Sequence, residues 1–338
     1  MEEALTFDDV CLVPVYNNID SRLKPVLKTW LTKKIQIDIP IVAANMDTVI
    51  GDDMAEVILK RGSIPIFHRF TTFDKQKEWA KKYKEKCFIS CGLNEDHLPY
   101  VYECLEFGAN LNIDVAHGHC SRMVDLIKKV KRVFPNVQII AGNVCTPMGV
   151  HDLAVAGADA VRVGIGGGSI CITRMVTGFG VPQFTAIKNC AKVARKLNVP
   201  IIADGGIRSS RDIMIALGAG SSTVMMGGLF ARTYESPSEK KESNGDVFVT
   251  YRGSASKDFQ DDFYGGVKKN TVPEGVSFKL KCTGSADDLI DELLGGIRSG
   301  MTYGGSKSIK EFHRKAEFMK VRGGTYMKES NPRRNIVS

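Results

Sequence analysis

The segment Gly164-Ile165-Gly166-Gly167-Gly168-Ser169-Ile170-Cys171-Ile172-Thr173 carries the densest chemical signal in the chain. Its glycines let backbone N–H groups approach an anion closely, and Ser169 adds a hydroxyl donor. Cys171 follows on the same stretch, where a thiolate beside an anion site can be exposed and act as a nucleophile. Taken alone, such a cluster is equally the mark of a tight turn with an incidental cysteine. Asp204-Gly205-Gly206 and Met226-Gly227-Gly228 repeat the glycine chemistry. Asp204 is a candidate acceptor for both hydroxyls of a ribose; an aspartate near Ser209-Ser210 can equally cap a helix. Tyr251, just before Gly253, is a candidate phosphate donor, although a lone tyrosine more often packs. His117-Gly118-His119-Cys120 has ligand residue types but no partner pair at zinc spacing, so no metal centre is expected there.

These residues need a scaffold, and the chain offers one. From residue 41 to 228, short apolar runs alternate with amphipathic stretches. The runs are Ile41–Ala44, Ile64–Phe67, Phe88–Cys91, Leu111–Ala116, Val137–Ala141, Ala160–Gly164, Pro200–Ala203 and Thr223–Met226. Between them the apolar period is helical, as in Met123, Leu126, Ile127, Val130 and Val133. Continuous apolar strands separated by helices predict a parallel sheet buried on both faces, and eight units predict a closed (β/α)8 TIM barrel. In such a barrel, functional groups collect at the C-terminal strand ends. Asn45, Asp47, Asp114, Asn143, the Cys171 loop, Asp204 and Gly227-Gly228 all fall there. Residues 1–40 form an N-terminal extension. Residues 230–284 form a polar insertion after the eighth run, expected to be a mobile flap ahead of a helix over Ala286–Arg298. No paired-module regulatory insertion interrupts the barrel, and residues 1–338 are expected to make one domain.

Composition bounds the partners. The 338 residues are 43% apolar and 25% charged, ordinary values for a water-soluble globular chain. No apolar run approaches the ~20 residues of a membrane span. The start, Met1-Glu2-Glu3-Ala4, lacks the order of a signal peptide, and a cytoplasmic location is expected. Nine cysteines, an odd number without a C-x-x-C pair, argue against a disulfide framework. The net charge of +8 suits anionic ligands, but the lysine runs at 81–86 and 128–132 read as solvated helix faces, and no nucleic-acid partner is expected.

Together the motifs resemble the inosine monophosphate dehydrogenase / guanosine monophosphate reductase family over nearly the whole length. They are Leu5-Thr6-Phe7-Asp8-Asp9-Val10, Asn45-Met46-Asp47-Thr48-Val49, Ile113-Asp114-Val115-Ala116-His117-Gly118, Ala141-Gly142-Asn143-Val144, the Cys171 loop through Gln183, Ala203–Arg208 and Leu294–Ser299. The resemblance implies a purine 5′-monophosphate held by Ser169, Asp204, Gly206, Gly227, Gly228, Tyr251 and Gly253. It implies that Cys171 attacks purine C2 to form a thioimidate, and that Asp114 and Asn143 face a nicotinamide cofactor. It further implies a homotetramer and, in dehydrogenase-like members, a monovalent cation (K+) on the carbonyls of Gly166, Gly168 and Cys171. Tail residues Glu329-Ser330 of an adjacent subunit would complete that cation site.

The two branches of this family differ after the thioimidate. The dehydrogenase hydrolyses it with an Arg-Tyr pair in the flap, but no arginine lies between Gly253 and Glu274, and Tyr264 stands alone. Loss of a general base removes ~10²–10⁴-fold of rate. With the Tyr264-Gly265-Gly266-Val267 flap and Gly227-Gly228, this favours the reductase branch: GMP reduced by NADPH to IMP and ammonia, with a Thr173–Glu274 dyad protonating the leaving amine. Arg69 is a candidate for a cofactor 2′-phosphate. Tyr251-Arg252-Gly253, Val272-Pro273-Glu274-Gly275 and Glu329-Ser330 resemble the dehydrogenase, which would use NAD. Ser254 stands where both branches usually have methionine, so the base is less constrained. A non-catalytic nucleotide- or nucleic-acid-binding barrel is a third reading, against which Cys171, Thr173 and Glu274 argue.

Overall fold

The computed structural model describes residues 3–322. Seven parallel strands form the central sheet: β4 (Ile41–Ala43), β5 (Phe88–Cys91), β6 (Asn110–Asp114), β7 (Ile139–Val144), β8 (Ala160–Val163), β9 (Ile201–Asp204) and β10 (Thr223–Met226). Their order is β4-β10-β9-β8-β7-β6-β5. The run Ile64–Phe67 fills the eighth position of the (β/α)8 barrel, but only Ile66 pairs, with Phe88. Pro65 explains the shortfall, because proline brings no N–H to a ladder. Its carbonyl accepts from Phe88 N at 3.0 Å, and Phe67 N donates to Phe88 O at 2.8 Å. Toward β4 the join is made by the Ser63 hydroxyl, which donates to Ile41 O at 2.7 Å.

Every residue of β4, β5, β8 and β10 is buried. That is the pattern of strands covered by helices on one side and by barrel packing on the other. The helices are α1 (Asp52–Lys60), α2 (Phe73–Tyr83), α3 (Leu98–Glu106), α4 (Ser121–Val133), α5 (Pro147–Ala156), α7 (Gln183–Lys196), α8 (Ser210–Ala219), α11 (Ala286–Tyr303) and α12 (Ile309–Lys315), with short α6 (Thr173–Thr177) and α9 (Gly228–Ala231) at the site. In α4 the apolar period holds for Met123, Leu126, Ile127 and Val130, whereas Val133 is exposed where the helix ends. Helix α11 runs one turn past the expected Arg298. No helix of the described residues is long and apolar enough to cross a membrane.

The extension does two jobs. A hairpin of β2 (Thr29–Trp30) and β3 (Gln36–Ile37) plugs the N-terminal end of the barrel with Leu31 and Ile37. Lys33 N donates to Asp159 O at 3.0 Å there. Ahead of it, Phe7–Asp9 forms a 3-10 turn closed by a Thr6–Asp9 capping box, and β1 (Val10–Leu12) pairs antiparallel with β14 (Phe318–Lys320). The insertion is an ordered element: β11 (Lys240–Ser243), β12 (Asp246–Arg252) and β13 (Ser277–Lys281) form an antiparallel sheet. Helix α10 (Lys257–Tyr264), capped by Ser256, lies between β12 and β13.

Phe88 lies in the fully buried core, on the strand that must accept the weak eighth position. Phe88→Ala is expected to lower unfolding free energy by about 3–5 kcal/mol. Denaturant titration followed by circular dichroism checks this; a loss under about 1 kcal/mol would mean that this seam carries no packing load.

Candidate active site

Two cavities open side by side at the C-terminal ends of the strands. The first, about 700 Å³, is lined by Ser169, Asp204, Gly206, Gly227, Gly228, Tyr251, Gln183 and Phe7 among others. The second, about 560 Å³, is lined by Asp114, Asn143, Gly166, Gly168, Cys171, Thr173 and Asp204 from the barrel, and Ser254, Gln260, Tyr264 and Lys268 from the flap. They share Gly167, Gly168, Asp204 and Gly205. At that seam the two glycine loops touch through their backbones: Gly205 has φ +107°, and a Cβ there would stand 3.1 Å from the Gly167 carbonyl carbon. Only glycine meets both demands.

Tyr251 is buried, and its hydroxyl is engaged by the Ser169 side chain and the Gly228 backbone. Burial pushes the phenol up to about 12, so it stays protonated at neutral pH and can donate to an anion. Tyr251 is therefore a fixed wall of the first cavity and not part of a loose lid. Gln183, 4% exposed, donates to Val163 O at 2.9 Å and Asp204 O at 3.2 Å. Its buried Oε1 has no hydrogen-bond partner among the described residues, as expected of an acceptor reserved for a ligand.

In the second cavity the Cys171 thiol donates to Thr173 Oγ1 at 3.1 Å. The cysteine loop is stitched to the flap by backbone hydrogen bonds, from Ile172 N to Glu274 O and from Val276 N to Ile170 O, both 2.9 Å. Glu274 N in turn reaches Ala255 O at 3.1 Å. Elsewhere in the barrel, burial pushes the thiols of Cys87, Cys91 and Cys190 up to about 12, which keeps them neutral and inert.

One residue outside the expected set organises both cavities. Arg162 is buried inside β8 and donates to Asp114 Oδ1 and Asp204 Oδ2, each at 2.8 Å. Asn143 Nδ2 donates to the same Asp204 oxygen at 2.8 Å and to Gly164 O at 2.9 Å. Burial opposes the Arg162 charge, but Asp204 and Asp114 outweigh it and hold the guanidinium above its ordinary range. Asp204 thus spends Oδ2 on the protein, and Oδ1 takes neither of these bonds. Asn143 Oδ1 is buried without a partner, as is Arg69 Nε, which lies 3.7 Å from Asp114 Oδ2. Unpaired donor and acceptor atoms beside Asp114 fit the amide of a nicotinamide.

The structure thus brings together all but two of the expected site residues. Gly253 lines neither cavity; it donates to Val276 O at 3.3 Å, and a Cβ there would meet Ile170. Its neighbour Ser254 faces the second cavity instead. Glu274 also lines neither cavity, and its carboxylate makes no hydrogen bond or ion pair among the described residues, although its backbone is tied to Ile172. Gly168 O accepts the Cys171 N–H at 3.1 Å. Glu329-Ser330 lie outside the described residues. Among the described residues no His/Cys/Asp/Glu cluster is disposed for a metal ion; His119 is paired to Asp152 at 2.9 Å. Arg162 and Gln183 were missed, though an arginine within the apolar run Ala160–Val163 is a readable signal.

A glycine-lined cavity beside a half-buried cysteine thiol and a polar second cavity, at the C-terminal end of a barrel, is the arrangement of an enzyme site. Comparison with known proteins narrows this. Residues 4–333 match the IMP dehydrogenase / GMP reductase domain profile. The chain is 36% identical to inosine-5′-monophosphate dehydrogenase of Borreliella burgdorferi, covering 98% of this chain and 97% of that protein. It is 39% identical to GMP reductase of Streptococcus pyogenes serotype M1, covering 90% and 91%. A cysteine-to-alanine variant of GMP reductase from Trypanosoma brucei, solved in complex with guanosine 5′-monophosphate, superposes with a TM-score of 0.93 over 100% of this chain and 99% of that one, at 26% identity. The chain belongs to the IMP dehydrogenase / GMP reductase family, oxidoreductases that act on purine nucleotides.

Removing Arg162 would leave half-buried Asp204 with only the Asn143 amide and half-buried Asp114 with only the more distant Arg69, so Arg162→Met is expected to cost about 3 kcal/mol of stability. Urea unfolding measures this, and a cost under about 1 kcal/mol would show that Asp114 and Asp204 hold their places without it.

Proposed function

We propose that the chain is a GMP reductase, converting GMP to IMP and ammonia with NADPH through a thioimidate on Cys171. The observation that carries the choice of branch is the flap's lining of the second cavity. Ser254, Ala255, Gln260, Tyr264, Gly266, Lys268 and Thr271 face it, and none is an arginine able to activate water above Cys171. Arg252, the nearest flap arginine in sequence, is committed to Asp47 and Asp262.

In this reading Ser169, Gly206, Gly227, Gly228 and Tyr251 hold the phosphate, and Asp204 Oδ1 accepts from the ribose. The Cys171 sulfur bonds C2 of the purine while the C2–N bond breaks. Thr173, 3.1 Å from that sulfur, passes a proton to the departing amine, and Glu274, whose backbone is bonded to Ile172, recharges it once its carboxylate turns from outside the cavity toward Thr173. Asp114, Asn143 and Arg69 would hold the nicotinamide, which supplies the hydride that replaces sulfur at C2 when the cofactor is bound. A third cavity of about 870 Å³ adjoins the second through Arg69, Val115 and Tyr264, leaving room for the rest of a dinucleotide. Arg69 stands at that junction and is the proposed contact of a 2′-phosphate. The proposal extends to a cytoplasmic homotetramer and a K+ ion on the carbonyls of Gly166, Gly168 and Cys171.

The second reading, IMP dehydrogenase without a regulatory module, is favoured by Tyr251-Arg252-Gly253 and by relatives of that name. The purified protein is given GMP with NADPH, then IMP with NAD+, and the reduced-nicotinamide absorbance is followed. Oxidation of NADPH with ammonia release is expected; reduction of NAD+ with xanthosine monophosphate formation would overturn the reductase assignment. Cys171→Ala is expected to lose at least about 10³-fold in kcat while retaining GMP binding by calorimetry. Turnover at the parental rate would exclude the covalent route.

A further inference from the structure

Strand β12 puts successive side chains on opposite faces. Tyr251 turns into the first cavity, and Arg252 turns the other way. Arg252 Nε and Nη2 donate to Asp47 Oδ2 at 2.9 and 2.8 Å, and Nη1 donates to Asp262. Asp47 belongs to the loop that follows β4, one residue beyond Met46, which lines the first cavity. Asp262 belongs to α10, whose Gln260 and Tyr264 line the second. One guanidinium therefore joins the barrel rim, the flap sheet and the flap helix. Its inner pair is well shielded, with side chains 20% and 17% exposed, whereas Asp262 is 66% exposed.

An aromatic stack backs the clamp. The Arg252 guanidinium lies 5.2 Å from the ring centre of Phe259, the buried residue of α10. Phe259 meets Phe70 edge-on at 4.7 Å, and Phe70 carries the Arg69 guanidinium 4.4 Å from its ring centre. The position of α10 is thus coupled to that of Arg69, which enters the second cavity. Burial raises the Asp47 carboxyl while its hydrogen bonds to Arg252 oppose that rise, so the pair is mutually dependent.

We propose that Arg252 is a positioning residue that clamps the flap over Cys171, setting the height of Ser254, Gln260 and Tyr264 above the second cavity. This rests on the proposed function only in taking Cys171 as the nucleophile. The cysteine strap at 253–256 and 274–276 fixes one edge of the flap; the clamp fixes the helix that roofs the other. Without it α10 keeps its aromatic packing and its hydrogen bonds from Ser277 to Asp258 and from Gln260 to Ala255 O, but loses its tie to the barrel rim at Asp47, and the second cavity opens further to solvent.

The test is the rate at which iodoacetamide alkylates Cys171 in the nucleotide-free protein, read by peptide mass spectrometry with Cys120 as internal reference, beside steady-state kinetics and thermal melting. In Arg252→Met, Cys171 alkylation should rise about tenfold relative to Cys120, kcat should fall about tenfold, and KM for the nicotinamide nucleotide should rise more than KM for the purine nucleotide. Arg252→Lys, which keeps one charged contact to Asp47, should restore part of the protection. Asp47→Asn, similar in shape, should reproduce the effect if Arg252→Met proves unstable, and Asp262→Asn should change little. Unchanged alkylation in folded Arg252→Met and Asp47→Asn overturns the clamp. So does an equal fall in melting temperature and in every kinetic parameter without faster alkylation, which marks Arg252 as merely structural. Alkylation does not depend on which reaction runs: a clamp that behaves as described in a protein inert toward GMP and NADPH would sink the reductase reading alone.

Discussion

A single buried guanidinium holds the two halves of the site together. Arg162 sits between Asp114 and Asp204 with 2.8 Å contacts to each, inside a strand that is otherwise wholly apolar. A buried charge survives only when paired on its accessible sides, and here the two carboxylates that pair it also line the cavities, Asp204 both of them and Asp114 the second. The polar walls of the two cavities are thus set by one cation. Asn143 adds a second bond to Asp204 and keeps an unpaired acceptor for the neighbouring cavity. The polarity of the site is a property of this network more than of any one residue in it.

The parts of the fold written in local pattern were the parts legible in the residues. Seven of eight strands appeared where uninterrupted apolar runs stand, because burial on both faces demands such runs. The eighth, Ile64–Phe67, is reduced to a bridge because Pro65 brings no donor to the ladder. Strand β7 runs on to Val144 where Gly142-Asn143 looked like a polar end; Asn143 is tolerated there since its side-chain N–H groups find Gly164 and Asp204. Glycine clusters at strand ends marked the cradle because close backbone approach excludes any other residue. Arg162, Gln183 and Arg252 were given no role of their own, since those roles depend on partners as far as 205 positions away. Gly253 and Glu274 were placed by resemblance, and the backbone uses both as strap and not as lining.

The flap shows how an insertion can be ordered and still serve access. Its sheet, its helix cap and its backbone stitches to the cysteine loop leave little slack. What is left adjustable is the seating of α10 against the barrel, which depends on one ion-pair cluster and one aromatic stack, while side-chain hydrogen bonds tie the helix to its own flap. Long insertions in barrels that act on reactive intermediates have reason to be built this way, since water must be excluded during chemistry and admitted afterwards.

The first cavity is walled by Phe7 together with Phe278 and Leu280, more than 270 positions later, and β1 is sealed in place by β14. During synthesis a chain emerges in order from its N-terminus. Synthesis must therefore pass Leu280 before this cavity has all its walls. A nascent chain shorter than that lacks the surface a ligand would hold, and a ligand can stabilise the fold only after those residues have joined it.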